Sequence, residues 1–455
     1  MENLLEEKIA KKTARVCVIG LGYVGLPLAI EFAREGFVVT GIDLDARKVA
    51  SLTRGVSYIP DVKSADVKRV IGKKKFTATC DYDALRAVDV IFICVPTPFD
   101  RMKAPDLGPV IAATKSIAPR LHADQLVILQ STTYPGTTEE VCLPILEMNG
   151  LRAGKDFHLA FSPERIDPGA TSSQGWNVKN TPKVLGGLTP RCTKLAKALL
   201  VHLTPNVHVV SSPRAAEMTK LLENIFRSVN IALVNELALL SGRMGIDIWE
   251  VIEAAQTKPF GFMPFYPGAG VGGHCIPVDP YYLSWKAREY DFYTKFIELA
   301  AEINQGMPFH VVKLADDLLN QKGKALKGSN VLVLGVAFKR DVDDARNSPA
   351  ERVIEVLLER GAKVSYHDPH VPEFRVGDDV FRREKTALKS IPLTRDALRQ
   401  SDVVVIVTAH RRVNYRRVVT HAPLIVDSAN ATKGLGHAEK IARVGAPLSH
   451  GAKHG

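Results

Sequence analysis

The chain has 455 residues, 46% hydrophobic and 24% charged, a balance that excludes collagen-like, disordered and coiled-coil descriptions of the whole. The length predicts roughly three domains at about 150 residues each. Lys plus Arg outnumber Asp plus Glu by 60 to 49, a formal +11, and that excess favours an anionic partner. The basic residues are spread, with short clusters at 73–75 and 411–412 and no nucleic-acid motif beside them, so no nucleic-acid partner is expected. No run approaches the length of a membrane span, and the charged start at 1–14 lacks a signal-peptide core. Six scattered cysteines fit neither a disulfide framework nor a zinc site. A cytoplasmic protein with no metal and no membrane partner is expected.

From residue 15, short β-branched runs alternate with helical stretches: 15–19, 26–35, 38–42, 88–95 and 125–130, with 157–161 and 183–187 as further strands. This alternation predicts βαβ units and a parallel sheet buried on both faces. The pattern changes at residue 211. Across 215–254 the apolar positions Met218, Leu221, Leu222, Ile225, Val229, Leu233, Leu237 and Leu240 recur at helical spacing. A second helical stretch, 281–321, follows a Gly/Pro-rich loop at 260–280. After residue 328 the βαβ pattern returns through 330–335, 350–359, 363–366, 402–408 and 424–427, and the tail from His437 is expected to fray. The division reads 1–210, 211–327 and 328–455: α/β, helical, then α/β.

The strongest local motif is Gly20-Leu21-Gly22-Tyr23-Val24-Gly25, set between a predicted strand and a predicted helix. Gly20 permits the tight turn, Gly22 lets the backbone approach a pyrophosphate, and Gly25 allows close helix–strand packing. Asp43 ends the second predicted strand, about 20 residues on, where a carboxylate accepts from a ribose 2′-hydroxyl and repels a 2′-phosphate. Arg47 nearby is the residue type that accommodates NADP. The motif 95–98, with Thr97, and the run Ser131-Thr132-Thr133 follow strands at the edge where open α/β sheets bind ligands; their hydroxyls also read as loop caps. Ser162-Pro163-Glu164-Arg165 offers a carboxylate at the same edge, or an acid suited to a helix start. Lys220 and Asn224, at i and i+4, share a helix face, for which an ordinary solvated face is the plain reading. The loop 270–280 leads glycine-rich backbone into His274 and Cys275, with Asp279 four residues on, a setting in which a thiolate acts as nucleophile. The segment 335–348 lacks a second dinucleotide fingerprint, and its Lys339, Arg340 and Arg346 suit phosphate contacts.

In order, the segments GLGYVGLP, CVPTP, STTYPGTT, SPER, EMTKLLEN, GGHCIPVDP and AFKRDVDDARNSP resemble the nucleotide-sugar 6-dehydrogenases, the UDP-glucose/GDP-mannose dehydrogenase family, over about residues 15 to 432. The resemblance implies an α/β fold with an N-terminal NAD-binding Rossmann domain, a central helical dimerisation domain and a C-terminal Rossmann-like UDP-binding domain. It implies a homodimer or higher homo-oligomer acting on a UDP-sugar. Cys275 resembles the nucleophile that carries a C6 thiohemiacetal and then a thioester. Lys220 and Asn224 resemble the pair that stabilises the C6 oxyanion, Asp279 and Thr132 the groups that position water and relay protons, and Glu164 the carboxylate of the SPE motif. The NAD site implied comprises Gly20, Gly22, Tyr23, Val24, Gly25, Asp43, Arg47, Thr97, Thr132 and Arg346. The sugar-nucleotide site comprises Glu164, Arg165, Lys220, Asn224, Tyr266, Gly272 and Lys339. Pro168 stands where some UDP-glucose enzymes carry a second Glu. The wording around Cys275, GGHCIPVDPYYL, is similar to the UDP-N-acetylglucosamine 6-dehydrogenases of bacterial surface-polysaccharide pathways. UDP-N-acetylmannosamine enzymes share GGHC, so they and the UDP-glucose enzymes stay open as alternatives. So do a single-step hydroxyacid dehydrogenase and a non-catalytic dinucleotide-binding protein.

Overall fold

A computed structural model describes residues 4–100, 102–166, 176–378 and 381–447; Pro168 lies outside them. Contacts partition the chain into two compact units, Met1–Glu223 with Tyr281–Phe292, and Asn224–Pro280 with Tyr293–Gly455.

In the first unit the described residues form an eight-stranded sheet: β1 (Arg15–Ile19), β2 (Val38–Ile42), β3 (Phe76–Thr79), β4 (Val90–Ile93), β5 (Leu126–Leu129), β6 (His158–Phe161), β7 (Lys183–Gly187) and β8 (Val207–Val209). The order is β3-β2-β1-β4-β5-β6-β7-β8, parallel except where β7 meets β6. Its first six strands reproduce the doubly wound dinucleotide-binding order. Every residue of β4, β5 and β6 is buried, because helices cover both faces and unbroken apolar runs need cover on each. Alternate residues feed different cores. Phe92 packs with Phe32 and Phe37 on one side, while Ile91 and Ile93 join Phe157 and Phe161 on the other.

The second unit holds a five-stranded parallel sheet built from β9 (Asn330–Leu334), β10 (Lys363–His367), β13 (Val403–Ile406), β14 (Ile425–Asp427) and β15 (Ile441–Arg443), in the order β10-β9-β13-β14-β15. An antiparallel ribbon pairs β11 (Glu373–Val376) with β12 (Thr386–Lys389). The sheet order is the flavodoxin-like 2-1-3-4-5, whose switch point lies between β9 and β13.

Several sequence expectations are corrected. The helix expected over 215–254 is two, Pro213–Met244 and Ile248–Ala255. Gly245, at φ +73°, ends the first, and the Asp247 side chain caps the second by accepting from the Trp249 N–H. The stretch 281–321 likewise splits into Asp279–Ala287 and Lys295–Gln321, with Asp291 left-handed between them. The expected frayed tail contributes β15, whose Ala442 and following Val444 are fully buried, because the open edge of β14 accepts a further parallel strand. The short strands β3, β11 and β12 and the helices Leu4–Ala10 and Ser64–Gly72 escaped the periodicity reading.

Much of the apolar stripe of Pro213–Met244 does not face a core, although Leu221 is fully buried and Ile225 and Val229 are half-buried. Met218, Leu222, Leu233, Leu237 and Leu240 are exposed, whereas Glu217, Lys220, Asn224 and Asn235 are buried. By length and composition alone this helix is apolar enough to cross a membrane, contrary to the expectation that no run reaches that length. Those four polar residues are nevertheless withdrawn from the surface, while Arg214, Arg227, Glu236 and Arg243 of the same helix are exposed.

Candidate active site

In the first unit β1 runs into the glycine turn. Gly20 has φ +91°, and a Cβ there would lie 2.5 Å from the Cys94 carbonyl oxygen; one on Gly25 would lie 1.8 Å from the Gly20 carbonyl oxygen. Both positions exclude side chains. At Gly22, by contrast, no described atom comes within 4 Å of a Cβ, so the backbone is open on that side to a pyrophosphate. The Asp43 carboxylate accepts the Leu21 N–H at 2.9 Å and the Asp45 N–H at 2.9 Å. It therefore fastens the glycine turn to the end of β2 and keeps lone pairs for a ribose hydroxyl. Lys48, which the sequence reading did not single out, stands 3.3 Å from Asp43 one helical turn on. The Arg47 side chain is held outward by Asp45 through two hydrogen bonds.

The loops after β4 and β5 are tied together by the Ser131 hydroxyl, which donates to the Val95 carbonyl at 2.7 Å. Thr97 and Thr132 therefore share one sheet edge, and the Tyr282 hydroxyl holds the Thr97 carbonyl. Past β6, Glu164 accepts from Lys183 Nζ (3.1 Å), Gln130 Nε2 (3.1 Å) and the N–H groups of Arg165 and Ile166. Burial alone would raise its pKa, but the adjacent Lys183 ammonium and these donors hold it below the ordinary carboxylate range. Glu164 is thus a fixed anion, and it lines a cleft of about 290 Å³ together with Tyr23 and Val24. Arg165 spends its guanidinium on Glu223 at 2.6 Å. Lys220 is 7% exposed and has neither ion pair nor hydrogen bond among the described residues, which replaces the solvated-face reading with a buried lysine.

In the second unit three residues of the sequence reading are linked. Asn224 Nδ2 donates to Asp279 Oδ2 at 2.5 Å, and the Asp279 N–H donates to the Cys275 carbonyl at 2.8 Å. Asp279 and Asn224 are buried, while Cys275 is partly exposed. The glycines before Cys275 lie against 338–349: a Cβ on Gly272 would meet Pro349 at 2.8 Å and the Asn347 carbonyl at 2.9 Å, and Gly273 has φ +96°. His274 is turned to Asp344, with Nε2 and Oδ2 2.8 Å apart. Burial alone would raise the Asp344 pKa, but His274 and the forked hydrogen bonds of Arg346 hold it well below the carboxylate range. Arg346 is thereby positioned by Asp344, and the one histidine beside the cysteine is engaged elsewhere.

At the carboxyl ends of β9 and β13 a pocket of about 450 Å³ is lined by Tyr266, Trp249, Phe338, Thr408 and Asn430. The Tyr266 and Trp249 rings stack at 5.9 Å and 14°. Below it Asp368, which the sequence reading missed, accepts the Val336 and Ala337 N–H groups and pairs with His410 Nε2 at 3.0 Å. Its signal is only its place at the end of β10. Asp341, His370 and His410 gather beside it. There the Asp341 N–H donates to His410 Nδ1 and Arg411 takes the Asp341 carboxylate, so these groups pin loops to one another.

A doubly wound dinucleotide-binding sheet, a cysteine one turn before a buried carboxylate–amide pair, and a second sheet with an aromatic-lined pocket define a two-substrate oxidoreductase. The chain belongs to the UDP-glucose/GDP-mannose dehydrogenase family: residues 14–204 match its NAD binding domain, 214–306 its central domain and 332–434 its UDP binding domain. It is therefore an NAD-dependent nucleotide-sugar dehydrogenase. It is 40% identical to a UDP-N-acetyl-D-glucosamine 6-dehydrogenase of Pseudomonas aeruginosa over 362 residues, covering 79% of this chain and 84% of that protein. It is 35% identical to the enzyme of the same name from Salmonella typhi, covering 88% and 90%. The solved structure of a UDP-D-ManNAc dehydrogenase from Pyrococcus horikoshii matches with a TM-score of 0.85 at 32% identity, over 95% of this chain and 99% of that one.

Proposed function

We propose that the protein oxidises the C6 hydroxyl of a UDP-N-acetylhexosamine, UDP-N-acetylglucosamine foremost, to the uronic acid in two oxidations through covalent Cys275 intermediates, supplying surface-polysaccharide synthesis in the cytoplasm. The Asn224–Asp279–Cys275 linkage carries this reading, because a single-step hydroxyacid oxidation needs no cysteine and a non-catalytic binder needs none of the three. The Pseudomonas and Salmonella relatives support the glucosamine form. The Pyrococcus structure keeps UDP-N-acetylmannosamine as the second reading.

The glycine turn and Asp43 fit NAD: Gly22 leaves its backbone open and Asp43 can accept from the ribose. NAD, when bound, supplies the hydride acceptor in both oxidations. Thr97 and Thr132 line the edge where it would lie, and UDP fits the aromatic pocket of the second sheet, with Lys339 toward phosphate. In the first oxidation the C6 hydroxyl proton passes to solvent through Thr132 and Asp279 while C6 loses hydride, leaving an aldehyde. The Cys275 sulfur then adds to C6, and Lys220 and Asn224 stabilise the negative oxygen that forms. Loss of a second hydride from C6 converts this thiohemiacetal to a thioester. Water, deprotonated by Asp279, attacks the thioester; the C–S bond breaks and frees the carboxylate and the Cys275 thiolate. Glu164, anionic and fixed, orients the sugar.

We assign 1–210 to cofactor binding, 211–327 to dimerisation and 328–455 to UDP binding, with the exposed stripe of Pro213–Met244 meeting a second copy. The test is oxidation of a panel of UDP- and GDP-sugars with NAD or NADP, counting reduced cofactor per sugar. Two NADH per UDP-N-acetylglucosamine is expected; one per sugar, or preference for NADP, overturns the reading.

A further inference from the structure

Glu217 lies on Pro213–Met244 one turn before Lys220 and is fully buried. Its carboxylate accepts three hydrogen bonds from the turn that follows Thr132: the Gly136 N–H at 2.6 Å on Oε2, and on Oε1 the Thr138 N–H at 2.9 Å and the Thr138 hydroxyl at 2.7 Å. The turn needs a glycine to meet it. Gly136 has φ +103°, and a Cβ there would sit 2.7 Å from Glu140. Glu217, Lys220 and Asn224 fall at i, i+3 and i+7 on one buried face, so whatever holds Glu217 holds the other two.

We propose that Glu217 is a positioning residue, whose carboxylate keys the helix that presents Lys220 to the turn that presents Thr132 and so sets the spacing between these two groups during hydride transfer. This rests on the roles proposed above for Lys220 and Thr132. A carboxylate is the one side chain of this length that accepts from both backbone N–H groups and a hydroxyl at once. A glutamine in its place turns an NH₂ toward the Gly136 N–H, donor against donor.

The arrangement is not made for stability. Burial pushes the Glu217 pKa up to about 7, against the lowering effect of its three hydrogen bonds, and Glu139 adds to the rise. The folded protein therefore holds the proton more tightly than the unfolded chain, so ionising Glu217 costs stability as pH rises from about 4.5 to about 7. The titratable groups that share its electrostatics are Glu139, Tyr134 and Cys142; Arg214, on its own helix, pairs with Glu139 and Glu140, and Lys286 with Glu140 at 2.6 Å. Groups that are costly when charged, yet hydrogen-bonded as the anion, collect at working sites, and the three hydrogen bonds from the turn after Thr132 place Glu217 beside this one.

The test compares Glu217→Gln with wild type, and Thr138→Val with Thr138→Ser. Oxidation of the UDP-sugar is followed against pH, and melting temperature is recorded beside it. Expected for Glu217→Gln are a melting temperature equal to or above wild type at pH 8, kcat lowered about tenfold to a hundredfold, KM for NAD within about twofold, and loss of the limb near pH 7 from the kcat profile. Thr138→Val should lower kcat in the same direction and Thr138→Ser restore it. Wild-type kcat and an unchanged pH profile in Glu217→Gln overturn the proposal. If that variant does not fold, a Thr138→Val enzyme with wild-type kcat overturns it instead, as does a loss of kcat that only follows melting temperature and that Thr138→Ser does not rescue. A wild-type protein that oxidises no UDP-sugar refutes the proposed function, a separate failure.

Discussion

Asn224 donates its side-chain amide to Asp279 across 2.5 Å, both groups buried, joining a helix to the turn that begins at Cys275. The amide thereby spends one donor holding a carboxylate and keeps a second, the one the proposed mechanism turns to the C6 oxygen. Asn224→Ala strands the Asp279 carboxylate and removes that donor. The expected result is a fall of about a hundredfold in kcat with UDP-sugar binding retained, read by steady-state kinetics beside calorimetry.

Cys275→Ser should stop turnover to acid while leaving NAD and sugar-nucleotide binding intact. A serine hydroxyl without an activating base is a weak nucleophile, and His274, the adjacent base, is directed to Asp344. Aldehyde or a stalled ester should appear at about enzyme stoichiometry. Mass spectrometry of products with NADH counted per enzyme decides it; two NADH per sugar at a rate within about tenfold of wild type means that the sulfur is not the nucleophile.

The glycine turn separates folding from cofactor binding. Gly25→Ala drives a Cβ into the Gly20 carbonyl, and Gly22→Ala places one in open space. The first should lower stability by about 1–3 kcal/mol or more. The second should leave the melting temperature unchanged and abolish NAD binding. Thermal melts with and without NAD measure both.

Leu233 and Leu237 stand exposed on a helix that buries Glu217, Lys220, Asn224 and Asn235. Solvent contact along such a stripe is relieved when a second copy covers it. Leu233→Glu should convert a dimer to monomer in light scattering while the melting temperature of the first unit's sheet is kept. A wild-type monomer at micromolar concentration removes the dimer.

Lys183 holds Glu164 ionised in a buried setting. Because the folded pKa of Glu164 is depressed, the pair's contribution is complete above the unfolded value near 4.5 and is lost as pH falls through the folded one. Lys183→Met should cost about 3–5 kcal/mol at pH 8, and the difference from wild type should shrink as the pH is brought below 4.5. Urea melts across that range test the sign.

The α/β character, the glycine turn, Asp43 and the cysteine loop are legible in the sequence because each rests on local chemistry: β-branched runs, glycines where a Cβ has no room, a carboxylate at a set distance. Helix existence is legible for the same reason, but the direction of a helix face is not. The stripe through Met218, Leu233 and Leu240 carries the period of a core-facing helix, and periodicity says which residues share a face without saying what that face meets. Only the packed structure shows Glu217, Lys220 and Asn224 withdrawn from water and Leu222, Leu233, Leu237 and Leu240 left outside. The final strand at Ile441–Arg443 is too short to declare itself until β14 offers an edge. Asp368 and Lys48 carry no motif, and Glu217 opens the segment EMTKLLEN without a chemistry of its own there, since the meaning of all three lies in N–H groups and cations brought to them by the fold. Residue type and spacing determined which chemistry this protein has at hand; tertiary structure alone decided which of those groups are buried, which are charged and which are held together, because burial and hydrogen bonding depend on neighbours that no local stretch of sequence contains.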